Sequence, residues 1–162
     1  MSFQFEEIPE AGPAKFLKEH RQVLKMLFAW DQKPTGRWVD YSRNLVFYWV
    51  RRDGGPGWLG GNFALFKAGR LVLFCAFRSN GMDPNICYRL STVRLSESLD
   101  GQRAEVSGLI NEGLEAVSHR DAMGWIPVHS VSLDVEQTSW AVIPDQFTKK
   151  YFQENMAGGA QW

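Results

Sequence analysis

Long apolar runs are missing from this chain. Stretches such as Leu45 to Val50 fall far short of the about 20 residues that a membrane helix needs. The first residues, Met1-Ser2-Phe3-Gln4-Phe5-Glu6-Glu7, are acidic. They lack the cationic start and apolar core of a signal peptide. Cysteine is scarce, with only Cys75 and Cys87, which excludes a disulfide scaffold. No Cys-x-x-Cys occurs, and His20, His119 and His129 have no partner at a metal-helix spacing. Net charge is absent too: 18 basic residues balance 18 acidic ones. That argues against electrostatic capture of nucleic acid or of an anionic membrane by the protein as a whole. No internal repeat and no linker-like stretch interrupts the sequence.

What is present is an ordinary globular composition. The 162 residues are 44% hydrophobic and 22% charged. That length suits a single domain over 1–162 with a real core. Two cysteines in strand-like segments fit a cytoplasmic protein with reduced thiols. Residues 157–162, Ala-Gly-Gly-Ala-Gln-Trp, read as a frayed tail.

Periodicity supplies the elements. Pro13 opens a helix running to about Trp30, with Leu17, Leu24, Leu27 and Phe28 near helical spacing. Strands are expected at 45–52, 62–66, 70–78, 86–95, 128–133 and 139–143, with 37–41 a candidate for one extra short strand. A central helix spans about 100–122, with Val106, Leu109, Ile110, Leu114 and Val117 as its stripe and Ser98 or Asp100 as its cap. Pro144 opens a last helix to about Met156. Between 62–66 and 70–78 the spacing predicts a three-residue loop, Lys67-Ala68-Gly69. A two-residue loop would set Lys67 opposite Arg70, and like charges there are unfavourable. Short loops between strands imply antiparallel pairing. The fold class is α+β: a mainly antiparallel sheet of about five or six strands under three helices.

Chemistry is hard to find. Gly54-Gly55-Pro56-Gly57-Trp58-Leu59-Gly60-Gly61 is glycine-rich. It joins two expected strands, and no Gly-Lys-Ser/Thr follows, so it reads as a flexible connection carrying Trp58 rather than a phosphate cradle. Ser118-His119-Arg120-Asp121 holds triad residue types, but neighbours on a helix point apart. Glu112 and Glu115 read as a solvated helix side, and Cys87 as a packed strand thiol. No cofactor, metal or catalytic residue is assigned.

Charge layout is the most informative feature. Residues 37–94 carry nine basic groups, eight of them Arg, against three acidic, and residues 95–162 carry four basic against ten acidic. Either the two regions neutralise each other, or the surface has patches that favour a charged partner. Seven Trp, eleven Phe and four Tyr add the residue types that interfaces favour. These features favour a non-enzymatic protein-binding module, such as a small cytoplasmic inhibitor or an immunity-type protein that neutralises a toxin. Its contact residues would be Arg51, Arg52 and Trp58, with Arg78 and Arg89 as outer members. Two alternatives stand beside it. One is a small enzyme or anionic-ligand domain with a pocket between sheet and helices, using Arg78, Arg89 and Arg94. The other is a single-stranded nucleic-acid binder stacking bases on Tyr48, Tyr88 or Trp49. In topology alone, the element order also resembles secretion chaperones with helices around a small antiparallel sheet. Those chaperones are acidic, whereas this chain is neutral.

Overall fold

Aromatic and β-branched residues crowd positions 45–50 and 71–77 at both parities, as in strands buried on both faces. The computed structural model describes residues 3–7, 20, 36–53, 58–80, 85–120, 130–134 and 138–143. Eight strands there build one mixed sheet. They are β1 (Gln4–Glu7), β2 (Gly36–Asp40), β3 (Leu45–Asp53), β4 (Trp58–Lys67), β5 (Arg70–Asn80), β6 (Asn85–Ser96), β7 (Ser130–Asp134) and β8 (Ser139–Ile143). One α-helix, α1 (Arg103–Arg120), is described. Of the helix expected over residues 13–30, only His20 is described, and it is helical. The helix expected from Pro144 and the tail at 157–162 lie outside the described residues.

The first six strands pair in sequence order, each antiparallel to the next. Then the direction changes. The chain leaves β6, crosses through α1 and returns as β7 and β8, both parallel to β6. Parallel neighbours need such a crossover. β7 pairs Asn85–Arg89 and β8 pairs Thr92–Ser96. Together they line one side of β6, with Thr138 outside both strands. The Thr138 hydroxyl donates to the Leu90 carbonyl at 3.1 Å. The sheet is therefore larger than the sequence suggests and has a parallel margin.

α1 covers one face. Val106, Ile110, Leu114 and Val117 form its stripe and are fully buried. They join Phe47, Phe63, Leu65, Leu73, Cys75, Val93 and Leu95 in one cluster. Contact is closest at Gly113, where an added Cβ would lie 2.7 Å from the Phe63 ring. The β2–β3 turn ties the helix to the sheet from its end. The Asp40 carboxylate accepts from the Ser42 amide at 3.0 Å, the Ser42 hydroxyl at 2.6 Å and the Arg43 guanidinium. The bonds from Ser42 and then Arg43 hold its carboxyl down at about 2. Arg43 also donates to Glu112 on α1 through two nitrogens, at 2.6 and 3.2 Å. Glu112 is thus an anchor, not merely part of a solvated helix side.

Several expectations are corrected here. The β4–β5 hairpin uses the two-residue turn Ala68-Gly69, with Lys67 opposite Arg70. Both turn residues have left-handed φ, 50° and 79°, as a type I′ turn requires. A bulge at Leu65/Phe66 then shifts the register, so Leu65 faces Leu73 and Phe63 faces Cys75, while Leu71 pairs with Phe66. Lys67 and Arg70 are both exposed, so solvent screens the pair whose repulsion had favoured the longer loop. The glycine-rich run is a loop only in part, since Trp58 to Gly61 belong to β4. A Cβ at Gly61 would collide with the Trp49 ring, so the missing side chain admits an aromatic from the next strand. α1 starts at Arg103 after a 3-10 turn (Glu97–Leu99) and Gly101 at φ 81°. Its first amide bond runs from Val106 to the Gln102 carbonyl, which puts Gln102 at the cap in place of Ser98 or Asp100.

Two measurements check this packing and register. In thermal melts, Gly108→Ala should stabilise by up to about 1 kcal/mol through helix propensity, because nothing lies near its would-be Cβ. Gly113→Ala should destabilise despite the same propensity gain, since the buried Phe63 ring cannot yield. Ala68→Asn should raise stability by up to about 1 kcal/mol, because asparagine tolerates the left-handed conformation better. A loss on Ala68→Asn would contradict the two-residue turn.

Candidate functional site

The face opposite α1 is closed at one side and open at the other. Over β3 and β4, Tyr48, Ala64 and Phe66 are buried. His20 lies on them, its ring stacked on Phe66 with centroids 4.1 Å apart and its Nδ1 2.9 Å from Tyr48 Oη. The Arg37 charge also acts on the same Tyr48 hydroxyl. Arg37 Nε donates to Glu6 Oε1 at 3.0 Å, and Tyr41 Oη donates to Glu6 Oε2. Glu6 on β1 thus holds Arg37 of β2 and Tyr41 of the turn after it, while Tyr48 of β3 holds His20. Burial first, and then the Arg37 charge, lower the His20 pKa from 6.5 to about 4. Burial raises that of Tyr48 to about 12. His20 is therefore a neutral imidazole held by a tyrosine. The sequence signal for it is weak: one histidine in a helix-like segment, with its partner 28 residues away.

Toward β5 and β6 the described residues of the same face are less buried. Register sets Phe74 beside Arg94, Ala76 beside Thr92 and Arg78 beside Arg89. Phe74, Ala76 and Thr92 are half-buried, whereas Arg89 and Arg94 are exposed. Beyond β6, Ser139 stands beside Thr92 and Ala141 beside Arg94, both exposed. The surface is a shallow apolar strip bordered by guanidinium groups.

Of the five residues proposed for partner contact, Arg89 has an exposed side chain on this face. One row of the ladder reads Arg52, Gly60, Arg78, Arg89 and Asp134 across β3 to β7. Trp58 is two residues from Gly60 and pairs with Asn80. Arg51 pairs with Gly61, one position off that row. Arg78 and Arg89 are like charges directly opposite, which a sheet ordinarily avoids.

Two irregularities converge beside this row. The β5–β6 register slips between Ala76 and Phe77, leaving Ser91 as an extra residue on β6. On the other side of β6, pairing passes from β7 to β8 at the same level. Bulges re-aim side chains and gather next to functional sites. Sequence reading identified the arginines but not this convergence, because a bulge leaves no residue signature here.

Elsewhere chemistry is sparse. Burial pushes the Cys75 thiol pKa up, so it is a packing residue rather than a nucleophile. No cluster of metal-ligating side chains occurs among the described residues. Among those residues no helix is long and apolar enough to cross a membrane. The sequence matches no protein-family model and no curated protein.

The buried imidazole has a pH signature. A lowered folded pKa means that the native state resists protonation, so stability should fall as pH drops from 6.5 toward about 4. Denaturant midpoints should show this slope in the wild type, and His20→Gln should flatten it. Parallel profiles for the two proteins would contradict a neutral, buried His20.

Proposed function

We propose that this chain is a non-enzymatic protein-binding module that takes an acidic partner on the open β5–β6 face. The observation that carries the reading is the exposure of Arg89 and Arg94 beside half-buried Phe74, Ala76 and Thr92. An apolar strip with guanidinium groups at its margin combines the contact types that interfaces favour. A small cytoplasmic inhibitor or immunity-type protein needs only such a surface, complementary to its toxin. Register places Arg52 and Arg78 in the ladder row of Arg89, with Trp58 two residues from Gly60 of that row. A pocket between the sheet and α1 fits less well, because fully buried Phe47, Phe63, Leu65, Leu73, Ile110 and Leu114 fill that interface.

The partner chemistry can be tested without knowing the partner. An acidic peptide alternating Glu and Leu, titrated into isotopically labelled protein, should shift backbone amides in β5, β6 and β8. A peptide alternating Lys and Leu should not. Replacing Arg89 and Arg94 together with Glu should weaken binding at least about tenfold with little change in melting. Equal binding of both peptides, or steeply salt-dependent binding of an oligonucleotide, would overturn the reading.

A further inference from the structure

The two margins of the sheet are defended differently. β1, Gln4-Phe5-Glu6-Glu7, carries two carboxylates. Charge on an edge strand discourages pairing with another chain. β8, Ser139-Trp140-Ala141-Val142-Ile143, has no charge, proline or glycine. β8 pairs with β6 on one side, and among the described residues no strand pairs with its other side. Its side chains are open as well. Ser139 and Ala141 are exposed, and Val142 is 45% exposed. The other large exposed apolar side chain among the described residues, Tyr41, has a polar task on Glu6. Val142 has none.

We propose that two copies of the chain pair through β8, antiparallel about a two-fold axis at Ala141, so that the sheet continues from one copy into the other. This goes beyond the partner surface on the open face and does not depend on it. The strand is complementary to itself. Antiparallel pairing about Ala141 sets Trp140 opposite Val142 twice, and aromatic with β-branched is a favourable cross-strand pair. Ser139 meets Ile143, and no like charges face each other. Trp140 is already fixed from behind, with the Arg103 guanidinium 5.2 Å from its ring centroid. An isologous contact also closes, whereas β8 pairing with the β1 edge of another copy would build open chains.

The full-length chain tests this by sedimentation and amide exchange over about a hundredfold dilution. The expected mass at high concentration is twice the 18.5 kDa of the chain. Amides of β8 should lose protection as the dimer dissociates. Ala141→Lys sets two ammonium groups face to face on the axis and should give a monomer. Ala141→Glu should do the same, and mixing the two variants should restore the dimer. A wild type that stays monomeric throughout would overturn the proposal, whether its β8 amides are protected by the chain itself or left open to some other strand. So would a dimer that Ala141→Lys leaves intact. Should both variants fail to fold, the dilution series on the wild type still decides.

Discussion

The close approach of α1 to the sheet at Gly113 is the contact on which the rest of the architecture depends. Phe63 and Phe47 stand directly beneath that glycine. The helix stripe from Val106 to Val117 reaches the sheet because no side chain intervenes there. Once α1 lies across this face, the chain emerging from it is brought back alongside β6 and runs parallel to it. A meander alone would have continued antiparallel. The parallel margin follows from the crossover.

Electrostatics divides along the same lines. The arginine-rich middle and the acidic last third meet at Arg43 and Glu112, where the β2–β3 turn is bonded to α1. Arg37 is bonded to Glu6 from the first strand. Mutual neutralisation thus operates at the β1–β3 side, where charge serves to hold elements together. At the β5–β6 side, Arg89 and Arg94 are exposed beside a partly apolar strip. Neutralisation between the two regions is thus seen directly at Arg43 and Glu112.

Strand existence was legible from aromatic and β-branched density, and α1 from its stripe at 106, 110, 114 and 117. Register was not. For Lys67 and Arg70 the rule against opposed like charges was applied to a turn where solvent screens the pair. Glycine density at 54–61 suggested a loop, yet Gly61 serves the Trp49 ring from inside a strand. β1 was missed because four residues, two of them glutamate, give almost no alternation. The parallel margin could not be seen either, since strand direction depends on the crossover and not on the composition of β7 or β8. The arginines of the candidate surface were visible as residues, but their common row arises only from pairing.

The two like-charge pairs of the β4–β6 region show why position in the sheet matters more than residue type. Lys67 and Arg70 flank a turn and lie exposed at the end of the ladder, where side chains can diverge into water. Arg78 and Arg89 stand inside the ladder, with strands on both sides. Beside them β6 carries an extra residue, and on its far side pairing passes from β7 to β8 at the same level. Local sequence preference and global pairing agree through most of this sheet. Where they conflict within the ladder, the conflict coincides with broken register and an exposed arginine. Natural sequences concentrate such conflicts at functional positions, and this is the stretch of the sheet on which the proposed partner surface is drawn.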